Sequence, residues 1–111
     1  MFSERTFEYL QILGFLYLQH KQPQKAVTVF RALLVARPEH LTVLRGLAWS
    51  LLQCGDSLGC LRLTDRYDQI AGGLSPGMQI LRGRALFGLG RTDEARETLA
   101  PGESIPVIVR P

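Results

Sequence analysis

The chain has 111 residues, a length that fits one small domain. Apolar residues make up 46% and charged residues 21%, a balance typical of a globular protein and not of a disordered one. The net charge of +3 comes from 13 basic and 10 acidic residues, which are interleaved along the chain. Nucleic-acid-binding proteins usually concentrate their basic residues on one face. The composition therefore predicts no nucleic-acid partner.

Cysteine content and hydropathy exclude further classes of protein. Cys54 and Cys60 have no third or fourth ligand at zinc spacing, so we expect two reduced thiols and no metal. The residues Met1–Phe7 lack the basic start and apolar run of a secretory signal. No stretch approaches the roughly 20 apolar residues that cross a membrane. We expect a cytoplasmic protein that needs no cofactor.

A repeat of about 34 residues runs through the chain in three copies. The first copy is Phe7–His40 and the second is Leu41–Leu74. The third copy follows after one inserted residue at Gly72–Gly73. The positions that align between the first two copies are Leu10, Leu13, Gly14, Tyr17 and Ala26 with Leu44, Leu47, Ala48, Leu51 and Cys60; Gly83, Leu86, Gly90 and Ala95 continue the series. Three copies in register predict a fold built from repeated units.

Each copy has the pattern of two helices joined by a turn. Apolar residues recur at steps of three and four in the first helix, which is the spacing of one helix face. Turn residues follow at His20–Gln24, Gly55–Ser57 and Gly90–Asp93. We expect the small residue that follows each turn, such as Ala26, to lie opposite the glycine of the first helix. Pro38 predicts the end of the first hairpin.

The first copy resembles the tetratricopeptide repeat (TPR) family. The resembling pattern is Leu10-x-x-Leu13-Gly14-x-x-Tyr17, followed by Ala26, Phe30 and Pro38, with Lys21 in place of the turn glycine. The resemblance implies an all-α fold, a right-handed stack of antiparallel helix hairpins with about three repeats and a truncated last one, over residues 1–101. Residues 102–111 form a separate segment, because Ile105, Val107 and Val109 alternate with other residues as in an extended tail. We expect this tail to lie either against the stack or against a partner, with a flexible terminus as the alternative.

The TPR resemblance also implies a binding role and no enzymatic activity, because such modules hold peptides or helices in a concave groove lined by the first helix of each copy. The groove positions carry large apolar residues and arginines, residue types enriched at binding hot spots. The predicted partner-binding residues are Gln11, Phe15, Leu18, Arg45, Trp49, Leu52, Ile80, Arg84 and Phe87. The alternative is that Phe15 and Trp49 pack against their own chain.

Within the TPR class, the first copy resembles the small Y-type (YscY-like) chaperones of bacterial type III secretion systems, which are virulence machines. The resembling segments are Phe7–Leu10, Leu13–Leu16, Leu18–Gln19, Ala32–Leu34 and Pro38–Leu41. The resemblance implies a cytoplasmic bacterial chaperone that stabilises a small secreted helical protein, the X-type export component, and delivers it to an export gate protein. We expect a heterodimer with this client, with a homodimer as the alternative. A needle-subunit co-chaperone of the same system, a generic TPR scaffold and, more distantly, an RNA-binding helical repeat are the competing interpretations.

Overall fold

The computed structural model describes residues 2–99, which form six α-helices arranged as three consecutive hairpins. The helices are α1 (Glu4–Gln19), α2 (Pro23–Ala36), α3 (Leu41–Gln53), α4 (Ser57–Ala71), α5 (Pro76–Gly88) and α6 (Thr92–Leu99). Each helix packs against the next one, and α3 also contacts the first helices on either side of it, α1 and α5. The predicted all-α, TPR-like stack with a short last helix is therefore confirmed. No helix within residues 2–99 has both the length and the apolar character needed to cross a bilayer.

Polar side chains cap the start of four of these helices. The Oγ of Ser3 accepts a hydrogen bond from the Thr6 amide, and the Oγ of Ser75 accepts one from the Met78 amide. Asp56 caps α4 in the same way, with its Oδ1 2.8 Å from the amide nitrogen of Gly59. Such caps satisfy amide groups that have no partner inside the helix. The Nδ1 of His40 takes this role at α3.

The three hairpin turns share one backbone conformation. Lys21, Gly55 and Gly90 occupy equivalent positions and have positive φ angles of 59°, 87° and 80°. In each turn the next amide bonds to a carbonyl five residues back: Gln22 to Tyr17 at 2.8 Å, Asp56 to Leu51 at 2.8 Å and Arg91 to Leu86 at 2.9 Å. This is the hydrogen-bond pattern of a Schellman motif. The predicted turns are therefore confirmed, including the one that lacks a glycine.

The ring of Phe30 on α2 fills the space between α1 and α3. A Cβ added at Gly14 would lie 2.6 Å from Phe30 Cζ, and one added at Gly46 would lie 2.5 Å from the same atom. The two glycines therefore allow α1 and α3 to approach the aromatic ring from both sides. The side-chain atoms closest to a Cβ at Gly14 belong to Phe30, which lies one turn beyond Ala26 on α2. The expectation that Ala26 lies opposite Gly14 stays a prediction.

The same position is filled differently in the other two hairpins. In the second copy Thr64 takes the place of Phe30, and Ala48 takes the place of Gly14. On the following helix, α5, Leu81 takes the place of Gly46. Leu99 takes it in the third copy and contacts Gly83. A small residue on the second helix is thus matched by larger residues on its neighbours. This compensation keeps the interior closely packed without a constant sequence at any one position.

The predicted boundary at residue 101 and the tail 102–111 lie outside the described residues.

Candidate protein-binding face

One surface of the stack carries the residues predicted to bind a partner, and we call it the inner face. It is formed by the first helices of the hairpins. These helices lie side by side, as the contacts of α3 with both α1 and α5 show. Its residues are Gln11, Phe15, Arg45, Trp49, Leu52, Ile80, Arg84 and Phe87. The helix period places them on one side of their helices, with equivalent positions repeated from hairpin to hairpin.

Phe15 links the inner face to the hydrophobic core. Its ring meets the ring of Phe30 edge-on, with centroids 4.9 Å apart and an interplanar angle of 67°. The guanidinium of Arg45 lies 5.6 Å from the centroid of the Phe15 ring, within the range of a cation–π contact. Phe15 is half-buried, so it packs on its own chain and also contacts Arg45 at the surface.

Trp49, Ile80 and Phe87 form the exposed apolar part of the inner face. Their side chains are 38%, 49% and 67% exposed, respectively. Trp49 in the second copy is equivalent to Phe15 in the first. Ile80 in the third copy is equivalent to Arg45 in the second. Since Arg45 lies beside Phe15, the repeat predicts the same arrangement for Ile80 and Trp49, with exposed apolar side chains on both α3 and α5. Exposed apolar side chains of this kind make the inner face a candidate interaction site.

The remaining predicted residues contribute less surface. Leu18 is buried as part of the main hydrophobic cluster, so it is a core residue with little surface to offer a partner. Leu52, at the equivalent position one copy later, is half-buried against the same cluster. Gln11 is half-buried on α1. The helix period alone predicted these residues to face a groove, but it does not show how deeply the neighbouring helix covers them.

The inner face carries two arginines, and none of its residues named above is acidic. Arg45 and Arg84 are exposed, and neither forms an ion pair with any residue in the range 2–99. Four other arginines are paired with carboxylates: Arg37 with Glu4, Arg82 with Asp65, Arg91 with Glu94 and Arg96 with Asp93. Since the described chain leaves Arg45 and Arg84 uncompensated, a partner segment with carboxylates beside apolar residues is complementary to this surface.

Sequence reasoning missed a second exposed apolar set on α1, formed by Tyr9, Ile12 and Leu16. The equivalent residues of the second copy, Val43, Gly46 and Ser50, are buried, but only the structure shows this, because glycine and serine give no apolar signal in the sequence. Within residues 2–99, no helix covers this side of α1.

No cluster of His, Cys, Asp or Glu side chains in residues 2–99 has the composition and proximity to hold a metal ion. The two cysteines are free thiols, with Cys54 exposed and Cys60 buried. Burial raises the pKa of the Cys60 thiol to about 11, and the nearby charge of Asp56 adds to this effect. A thiol with so high a pKa is a poor nucleophile, because the thiolate is the reactive form.

Residues 77–101 match the family model described as Tetratricopeptide repeat. The match covers α5, the turn at Gly90 and α6, so it falls on the third copy and not on the first, where the signature is most complete. A search of curated proteins finds no match. The hairpin stack and the matched repeat together define the class of this molecule as an all-α, TPR-like protein. The repeat indicates a module for protein–protein interaction.

Proposed function

We propose that this protein is a chaperone that holds an apolar helical segment of a client against its inner face. The observation that carries the proposal is the exposure of Trp49, Ile80 and Phe87 on the first helices of the hairpins, together with Arg45 and Arg84 on the same helices. A client with exposed apolar surface would be shielded from aggregation there, and its carboxylates would pair with the two arginines. Aromatic and arginine side chains are the anchors that contribute most binding energy at protein interfaces.

The client we propose is the small secreted X-type export component of a bacterial type III secretion system, delivered to an export gate protein. This part of the proposal rests on the resemblance of the first repeat to the Y-type chaperones. The chemistry of the inner face is consistent with it, because a helix that is exported before assembly carries apolar surface intended for later contacts. Such a helix fits an apolar groove in the same way as other amphipathic helices bound by helical proteins.

Co-purification with the client tests the role of the inner face. We expect Trp49→Glu and Phe87→Glu to abolish co-elution of an X-type protein expressed together with the chain. Val35→Glu is the matched control, since Val35 is at least as exposed as Trp49 and Phe87 but lies on the second helix of the first hairpin. Retention of the client by Trp49→Glu and Phe87→Glu at the level of the control would place the binding site elsewhere.

A second measurement separates a chaperone from a scaffold. A chaperone's client should aggregate when expressed alone and remain soluble with the wild-type chain, whereas a scaffold's partner is soluble in both cases. Salt concentration gives a further distinction, because an apolar complex should persist at high salt while an RNA complex should dissociate steeply. A client that is stable and soluble by itself would contradict the chaperone role and favour the scaffold.

A further inference from the structure

Three side chains form an apolar surface on α1, on a side of the helix different from that of the inner face. Tyr9, Ile12 and Leu16 are 75%, 59% and 43% exposed, and their spacing of three and four residues places them on one side of the helix. We call this surface the outer face of α1. Since three adjacent large apolar residues are rarely left in water without a role, this surface needs an explanation.

The repeat shows what covers this position in the rest of the molecule. The equivalent residues are buried in both later copies: Val43, Gly46 and Ser50 on α3, and Met78, Leu81 and Ala85 on α5. In each case the cover is the second helix of the preceding hairpin. Phe30 of α2 contacts Gly46, and the Sγ of Cys60 on α4 lies 3.8 Å from the carbonyl oxygen of Leu81. Among residues 2–99, no helix covers α1 in this way.

We propose that the outer face of α1 binds an amphipathic helix of a partner protein, which stacks on α1 as α4 stacks on α5. This site is separate from the inner face and does not depend on the function proposed for it. The partner helix would continue an interface that the chain already builds twice, between α2 and α3 and between α4 and α5.

The size of Ile12 specifies the chemistry of the partner helix. Where α2 meets α3, the bulky Phe30 requires Gly46, which has no side chain. Where α4 meets α5, the smaller Thr64 is found with the bulky Leu81, and the Oγ1 of Thr64 accepts a hydrogen bond from Arg82 at 3.0 Å. Ile12 takes the position of Gly46 and Leu81 and resembles the leucine in volume. The partner helix should therefore carry a small residue, such as Thr or Ala, where it crosses Ile12.

The chain's own last helix is a poor candidate for this role. Arg96 on α6 takes the position of Val27 on α2 and Leu61 on α4, and it is exposed beside Asp93. If a second copy stacked its α6 onto α1, the charged Arg96 would be brought against an apolar surface, which is unfavourable without a buried carboxylate partner. The polar surface of α6 therefore favours a different protein as the occupant over head-to-tail stacking of this chain.

A peptide derived from α4 provides a defined probe for the outer face. The peptide spans residues 56–71, carries Cys60→Ala to prevent oxidation, and is cross-linked between positions 62 and 66, which are exposed in the protein and lie away from Thr64. The cross-link holds the helix, because isolated helices of this length are marginally stable in water. We expect the peptide to shift the NMR signals of Tyr9, Ile12 and Leu16 in the full chain, with a dissociation constant of roughly 1 mM or tighter.

Variants on both sides of the contact decide the outcome. We expect Ile12→Arg in the chain and Thr64→Phe in the peptide each to weaken binding by about tenfold or more, whereas Trp49→Glu should leave it unchanged. Leu16→Ser is a second variant of the outer face that should also weaken binding of the peptide. Because Ile12 and Leu16 are exposed, we expect both variants to fold, which thermal unfolding checks.

The proposal is overturned if the peptide fails to bind, if it shifts only signals of the inner face, or if Ile12→Arg binds it as well as the wild type does. Sedimentation of the chain alone tests whether a second copy of the chain occupies the outer face instead. A dimer that Ile12→Arg converts to a monomer would assign the outer face to a second copy, and a wild-type monomer supports a partner helix.

Discussion

Lys21 and Gly55 adopt the same left-handed backbone conformation at equivalent turns of consecutive hairpins. In both turns the following amide bonds to a carbonyl five residues back, so the geometry is set by the hairpin and not by the residue type. The left-handed region is unfavourable for residues with a Cβ atom, whereas glycine adopts it readily. The first hairpin therefore contains a strained lysine, whereas the other two hairpins have a glycine at this position and avoid the strain.

We expect Lys21→Gly to stabilise the protein by about 0.5–1 kcal/mol, because relief of the strain exceeds the added entropy of glycine in the unfolded chain. The reverse change, Gly55→Ala, should destabilise the protein by about 1 kcal/mol or more, although nothing lies near a Cβ at that position. Urea unfolding of both variants at equal protein concentration measures the two effects. A destabilising Lys21→Gly would contradict the presence of strain at this turn.

The ring of Phe30 on α2 contacts two other helices, because it lies against Gly14 on α1 and Gly46 on α3. We expect Phe30→Ala to destabilise the protein by about 3–5 kcal/mol, because it removes a buried aromatic ring and leaves a cavity. Gly46→Ala should destabilise it by about 1–3 kcal/mol for the opposite reason, since the new methyl group would collide with the ring.

Combining the two changes tests whether these residues act on each other. In the double variant Phe30→Ala and Gly46→Ala the added methyl group has space, so the total loss of unfolding free energy should be smaller than the sum of the two single losses. Chemical denaturation of the wild type, the two single variants and the double variant measures the four free energies of this double-mutant cycle. Strict additivity would show that Phe30 and Gly46 do not share a packing constraint.

The hairpin stack could be predicted from the sequence because its determinants are local and repeated. The spacing of Leu10, Leu13 and Tyr17 predicts a helix face, and Gly55 and Gly90 predict turns. The packing partners could not be predicted in the same way. That Phe30 is the side chain closest to Gly14 depends on the distance between α1 and α2, and this distance is a property of the assembled stack.

The candidate site shows the same division. The exposure of Trp49, Ile80 and Phe87 could be predicted, because these residues fall outside the repeated apolar core pattern. The burial of Leu18 could not, since the helix period gives the direction of a side chain and not the depth at which its neighbours cover it. Ile12 was missed for the opposite reason, as its position is buried in later copies and only the structure shows it uncovered in the first.

The two cysteines should differ sharply in reactivity. Cys54 is exposed, whereas burial raises the pKa of Cys60 to about 11 and shields its sulfur from reagents. In the folded protein at pH 8, a thiol reagent should modify one cysteine rapidly and the other only after denaturation. Cys54→Ser should remove the rapid phase and leave the slow one. Rapid labelling of two thiols in the native wild type would contradict the burial of Cys60.

The ion pair between Glu4 and Arg37 should make stability depend on pH at the junction of α1 and α2. The hydrogen bond from Arg37, and next its charge, lower the pKa of the Glu4 carboxyl in the folded protein. The Arg37 guanidinium is held in place from the other side as well, because it lies 4.0 Å from the centroid of the Phe7 ring. Since the folded pKa is the lower one, the stabilisation is fully present above the unfolded value of about 4.3 and is lost as the pH falls through the folded value.

NMR titration of the Glu4 carboxyl tests this coupling directly. We expect the pKa of Glu4 to rise towards its ordinary value in Arg37→Gln, because both the hydrogen bond and the charge are removed. Arg31→Gln is the matched control, since Arg31 is exposed on α2, the helix that Arg37 caps, and forms no ion pair with a described residue. The control should leave the Glu4 titration unchanged. An equal response to both substitutions would mean that the overall charge of the protein, and not the pairing with Arg37, sets the protonation of Glu4.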